Sequence, residues 1–236
     1  MIRLSVGLVI FLLSACATHA PLPDLAQTSP GVPPAFDAAI AAFADADREA
    51  MPPACATLFV GSSSIRFWRS LKEDFPDRTV INRGFGGSTV WEVVHYFDRV
   101  VTPYRPKEIV FYAGENDINA GRTPEETYAD FVQFMRLKEQ KLGATPVWYI
   151  SAKPSKLRLD QFARQSALNA RIDALARMRD DLAYIDVVSV MLKPDGAPKD
   201  IFVADDLHMT PDGYALWTPV VDAALDAGQP ARAPGC

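Results

Sequence analysis

The sequence predicts an α/β protein of three layers, helices on both faces of a parallel sheet of five strands. Three observations carry this. Apolar, partly β-branched runs of strand length stand at 56–60, 79–82, 108–113, 146–151 and 183–187. Helical patterns alternate with them across short connections, which is the signature of βαβ units. Glycine or polar clusters follow several of the runs directly, where an open parallel sheet turns its carboxyl edge into a ligand crevice. With 236 residues, 49% hydrophobic and 22% charged, the chain suffices for one sizeable core and is short for two.

The first element is a targeting segment. Arg3 supplies a positive start, 4–13 is an apolar run too short to span a bilayer, and small residues follow. The run closes as Leu13-Ser14-Ala15-Cys16, which resembles the bacterial lipobox and implies a signal peptide at 1–15 and a lipidated Cys16. A secretory signal cleaved near Ala20 is the other reading. Ala17 is not the aspartate associated with inner-membrane retention, so the expectation is an exported protein anchored to the cell envelope at the outer membrane. From 18 to 34 five prolines and little apolar periodicity give an extended tether, so the chain divides into signal, a tether at 16–34 and one domain at 35–236. At 36–50, Phe36, Ile40, Phe43 and Asp47 recur at helical spacing before Pro52-Pro53 stops the helix. In an oxidising compartment Cys55 and Cys236 can pair; two free thiols are the alternative.

The strand at 56–60 ends at Gly61-Ser62-Ser63-Ser64. A serine on such a turn points its hydroxyl into the crevice, and the next helix brings unpaired N–H groups and a partial positive charge suited to an anion. Capping of that helix is what the same serines do in the absence of chemistry. After 79–82, Gly84, Gly86 and Gly87 allow close backbone approach, with Ser88 or Thr89 as a helix cap. Their spacing is not a dinucleotide fingerprint. After 108–113 comes Gly114-Glu115-Asn116-Asp117, where Asn116 can donate to an oxyanion without adding charge or can form an Asx turn. The strongest helix signal begins at Thr123, with Pro124 at the first position, Glu126 completing a capping box and Gly143 as the stop. Further helices are expected at about 159–179 and 211–225. Between those two, His208 sits on a loop three residues after Asp205, close enough for a turn to bring the carboxylate to Nδ1 and leave Nε2 free. His19 falls in the tether and His95 in a helical stretch, so His208 is the best candidate base.

Taken together, Gly61-Ser62-Ser63, Gly87, Gly114-Glu115-Asn116-Asp117 and Asp205-Asp206-Leu207-His208 resemble the four ordered blocks of the SGNH hydrolases, or GDSL-type esterases, over 56 to about 225. The resemblance implies the flavodoxin-like SGNH-hydrolase fold and a serine esterase working through an acyl-enzyme. It implies Ser63 as nucleophile, His208 and Asp205 as base and orienter, and an oxyanion hole from the Ser63 and Gly87 N–H groups and the Asn116 side chain. One departure is plain: Ser62 stands where the family carries aspartate, so Ser62, Ser63 and Ser64 compete for the register.

No His, Cys, Asp and Glu cluster has metal-ligand spacing, and no cofactor is expected. A net charge of −5, from 24 basic and 29 acidic residues, supplies no basic face for nucleic acid. The expected partners are a small-molecule or carbohydrate ester, first of all an acetyl ester, and a membrane through the lipid anchor. Lysophospholipid or thioester cleavage, acetyl transfer to a polysaccharide, and a tethered binding module without chemistry are the alternatives. Trp68, Phe85, Trp91 and Tyr112 flank the blocks and read as core more readily than as pocket.

Overall fold

Alternation of apolar runs with helices produces one parallel sheet in the order β2-β1-β3-β4-β5. A computed structural model describes residues 20–26, 35–228 and 236. Its elements are α1 (Asp37–Glu49), β1 (Thr57–Gly61), α2 (Ser63–Arg66), α3 (Leu71–Asp74), β2 (Val80–Gly84), α4 (Val90–His95), α5 (Phe97–Val100) and β3 (Glu108–Tyr112). They continue with α6 (Glu115–Asn119), α7 (Pro124–Leu142), β4 (Val147–Ile150), α8 (Phe162–Ala176), β5 (Leu182–Ile185), α9 (Val188–Met191) and α10 (Pro211–Ala227). The fold is the expected one, with strand ends shifted by one or two residues. The expected helix at 159–179 starts as a 3-10 turn over Leu159–Gln161 and becomes regular only at Phe162.

Side-chain alternation divides the core into two halves. Leu58, Val60, Ile109, Phe111, Val147 and Tyr149 face α4, α7 and α8, while Phe59, Val110, Tyr112, Trp148 and Ile150 face α2, α3 and α10. α7 is the element most clearly specified by local chemistry. Thr123 accepts from the Glu126 N–H and Glu126 returns the bond to the Thr123 N–H, Pro124 opens the helix, and Gly143 ends it at φ +60°.

Register explains where the site lies. Gly61 pairs with Gly84 on one side and Tyr112 on the other, so β1, β2 and β3 stop at one level. Gly61 has φ +137°, and a Cβ there would sit 1.8 Å from the Tyr112 carbonyl oxygen, so no other residue closes this junction. Trp68, Phe85 and Tyr112 are buried core residues.

Part of the stretch expected as a tether is described. Residues 20–26 lie on the body of the molecule: Leu22 and Leu25 pack on the core, the Ala20 N–H donates to Met178 O at 3.2 Å, and Arg179 Nη1 donates to Ala20 O at 2.7 Å. Proline density correctly indicates extended chain, but two leucines in it are enough to find a groove. Residues 1–19, including the lipobox, Cys16 and His19, and 27–34 lie outside the described residues. Cys55 and Cys236 are joined by a disulfide with Cα atoms 5.6 Å apart. Among the described residues no helix is long and apolar enough to cross a membrane.

Candidate active site

Ser63 is the first residue of α2, after the extended Ser62 (φ −90°, ψ −159°). The three serines differ in environment. Ser62 and Ser64 are buried at 3% exposure each, and the Ser64 hydroxyl bonds the Tyr112 phenol, whereas Ser63 is partly exposed. The N–H groups of Ser63 and Gly87 find no acceptor among the described residues. Gly87 has φ +89°, a left-handed conformation that favours glycine.

Two contacts draw the glycine turn and the 114–117 block to this serine. The Phe85 N–H donates to Gly61 O at 2.9 Å, and Asn116 Nδ2 donates to Ser88 O at 3.0 Å. Arg158 Nη1 donates to Asn116 Oδ1 at 2.9 Å, which fixes which end of the amide faces the glycine turn. Beneath, Asp117 is fully buried and accepts from the Val90 N–H at 3.0 and 3.1 Å, clamping the start of α4. Burial, with only partial relief from that N–H, pushes its carboxyl up to about 7.

Residues 203–208 form a tight loop closed by Val203 N to His208 O at 2.8 Å, with Asp206 at φ +55°. His208 Nδ1 lies 2.6 Å from Asp205 Oδ2, and Asp205 Oδ1 accepts from the N–H groups of Leu207 and His208 at 2.9 Å each. Desolvation works against charge on Asp205, but the His208 N–H, the His208 ring and the Leu207 N–H outweigh it and draw the carboxyl down to about 2. The carboxylate is thus ionised and aimed at Nδ1, which leaves Nε2 as the available nitrogen.

The His208 loop meets the end of α2 through one ring contact, and α10 fastens the same helix. The Phe67 N–H donates to Ser63 O at 2.8 Å while its ring meets His208 edge-on at 4.9 Å, and Tyr214 Oη donates to Ser64 O at 3.0 Å. His95 is exposed in the last turn of α4.

Sequence reasoning missed the supports of this arrangement. Glu115 accepts from Tyr112 Oη at 2.8 Å and holds Lys153 Nζ at 3.2 Å and Arg158 Nη1 at 3.3 Å. Lys153, 1% exposed, also donates to Leu207 O at 2.8 Å, immediately before His208. Burial pulls its ammonium below the ordinary lysine range and Glu115 opposes this. The available signal was positional: Lys153 follows the apolar run of β4 at the sheet's carboxyl edge, as 114–117 follows β3.

Among the described residues no group of His, Cys, Asp and Glu is arranged to hold a metal ion. A partly exposed serine, an imidazole oriented by a carboxylate and two backbone N–H groups without an acceptor among the described residues are groups of the kind that acyl transfer uses.

Comparison with known proteins agrees with this chemistry. The model of the GDSL-like lipase/acylhydrolase family matches residues 56–216. No curated protein matches. Among solved structures, a Streptococcus pneumonia protein provisionally assigned as a platelet activating factor superposes with TM-score 0.71 at 18% identity, covering 80% of this chain and 92% of its own. A GDSL-like lipase from Bacteroides thetaiotaomicron gives 0.68 at 21% identity, covering 80% and 97%. A carbohydrate esterase family 3 protein from Talaromyces cellulolyticus gives 0.60 at 15%, covering 73% and 97%. These likenesses show the fold, and the family match, over more than half of the chain, shows the membership. The chain belongs to the GDSL-like lipase/acylhydrolase family and is a GDSL-type serine hydrolase acting on ester bonds.

Proposed function

We propose that the protein hydrolyses small acyl esters, acetyl esters first, through an acyl-enzyme on Ser63. The observation that carries this is the His208–Asp205 pair at 2.6 Å, with the His208 ring against Phe67 at the end of the helix that begins at Ser63. Ser63 Oγ attacks the ester carbonyl as its proton passes to His208 Nε2. The developing oxyanion takes hydrogen bonds from the Ser63 and Gly87 N–H groups and Asn116 Nδ2, each worth about 3 kcal/mol in comparable sites. Collapse expels the alcohol, which receives the proton from Nε2. Water then gives a proton to Nε2 and adds to the acyl carbon, and release of the acid restores Ser63. Asp205 stabilises the imidazolium in both halves. The test is p-nitrophenyl acetate hydrolysis by wild type, Ser63→Ala and Ser64→Ala. Loss with Ser63→Ala alone is expected; loss only with Ser64→Ala moves the nucleophile, and equal rates in all three overturn the proposal.

A second reading, longer acyl groups as in lysophospholipids, is favoured by one observation. Leu157, Leu159 and Val203 are exposed apolar residues, and the Leu157 N–H bonds Asp206 O within the His208 loop. A p-nitrophenyl ester series from acetate to decanoate separates the two by whether kcat/KM falls or rises with chain length.

The exported, lipid-anchored state remains our proposal from the lipobox. Ala20 is pinned beside Met178 and Arg179, at the edge of the sheet where β5 begins and opposite the site. Cys16 precedes it by four residues, a reach of at most about 14 Å, so the anchor places the catalytic rim away from its own membrane. Detergent partitioning of wild type against Cys16→Ser tests the anchor, which is overturned if both stay in the aqueous phase.

A further inference from the structure

We propose that the ester substrate carries an oxyanion, carboxylate or phosphate, on a part that lies in the groove between α1 and the α2–α3 segment, read by Arg66, Arg69 and Lys72. This rests on the esterase reading and adds a substrate class to it. The groove, about 500 Å³, runs beside edge strand β2, with Ala39 and Phe43 of α1 on one wall and Arg66, Arg69 and Lys72 on the other. The chain is acidic overall, with 29 acidic against 24 basic residues, yet three cations and no carboxylate line this groove.

Several other cations around the sheet are committed to carboxylates: Arg78 holds Glu108, Asp222 and Asp226, Arg83 holds Asp47, and Arg122 holds Asp130. Arg66, Arg69 and Lys72 have no carboxylate partner among the described residues, and all three side chains are exposed. The two guanidinium groups sit 5.5 and 5.9 Å from the Phe67 ring, which orients them without neutralising them.

Two contacts relate the cations of the groove to residues of the candidate site. Phe67, the ring that Arg66 and Arg69 flank, is the ring that meets His208. Arg66 Nη1 also lies so close to Gly86 that a Cβ there would stand 3.0 Å away, and Gly86 precedes Gly87. Guanidinium groups match carboxylate and phosphate oxygens bidentately, and a partner for them here belongs to the molecule whose carbonyl sits at Ser63. Asn82, the polar wall residue on β2, is satisfied internally by Ile65 O and the Gly84 N–H, so the cations supply the recognition.

The test compares acyl release from two matched pairs: acetylated galacturonan with free against methyl-esterified carboxylates, and acetylglycerol phosphate against acetylglycerol. The readout is the kcat/KM ratio, charged over neutral, within each protein. Wild type is expected to prefer the charged member of at least one pair, which identifies the source of the anion. That ratio is expected to fall by about tenfold in Arg66→Gln/Arg69→Gln, to stay with Arg66→Lys, and to shrink in wild type as salt rises. A wild-type ratio near one in both pairs, or a preference the double variant keeps, overturns the inference. Because the ratio is taken within one protein, partial misfolding does not mimic the effect. Failure of the esterase reading shows separately, as p-nitrophenyl acetate rates that Ser63→Ala leaves unchanged.

Discussion

Each end of the sheet buries an ion cluster, and the two clusters differ in what their spare hydrogen bonds hold. At the amino end, Arg179 grips Asp181 with two bonds of 2.8 and 2.9 Å, Lys138 pairs with the same carboxylate, and Arg179 also reaches Glu139 and Ala20 O. Every contact there ties scaffold to scaffold. At the carboxyl end, Glu115 gathers Tyr112, Lys153 and Arg158, and each cation has a further bond, Lys153 to Leu207 O on the His208 loop and Arg158 to Asn116 Oδ1 on α6. Desolvation makes both clusters costly when one partner is removed. Only the second converts that rigidity into placement of an imidazole and an amide.

The comparison is sharpened most by removing the chemistry alone. Ser63→Ala is expected to lower kcat/KM at least about 10³-fold with the melting temperature unchanged, since Ser63 Oγ supports neither cluster. Next comes Lys138→Met, which leaves Asp181 under-compensated and is expected to cost about 3–5 kcal/mol of stability. Calorimetry and urea melts should show this loss, while kcat/KM per folded molecule stays at the wild-type value. Lys153→Met should do both, destabilising the fold and lowering kcat by about 10²-fold through a displaced His208. Lys153→Met/Glu115→Gln removes both charges, so it is expected to recover stability and not rate. If the double variant recovers both, the carboxyl-end cluster is scaffold like the other.

The smallest effect concerns pH. Asp117 titrates near 7 in the folded protein against 3.8 for the free side chain. A carboxyl raised by folding binds its proton more tightly in the native state. Its stabilising share is therefore full below about 4 and is lost as pH rises through about 7. Asp117→Asn is expected to flatten the stability profile across that window, measured by melting temperature from pH 4 to 8. A profile as steep as wild type contradicts the assignment.

Much of the fold, and the pairing of Asp205 with His208, was legible because the signals are local. Apolar runs marked the strands, Thr123, Pro124, Glu126 and Gly143 marked α7, and the spacing of Asp205 and His208 is short enough for one turn to join them. What stayed illegible depends on tertiary burial. Lys153 lies in Lys-Pro-Ser-Lys, a string that reads as solvated loop, and is buried only because β4 ends beneath the His208 loop. Leu22 and Leu25 were hidden by surrounding prolines. Three consecutive serines carry no sequence feature that ranks them; exposure and hydrogen bonding separate Ser63 from Ser64.

The most direct test of the central claim is to react the folded protein with a p-nitrophenyl phosphonate and map the modified residue by peptide mass spectrometry. The account predicts one adduct, on Ser63, formed in wild type and absent in His208→Ala. An adduct on Ser62 or Ser64, or full ester hydrolysis by a protein that takes no label, would contradict it.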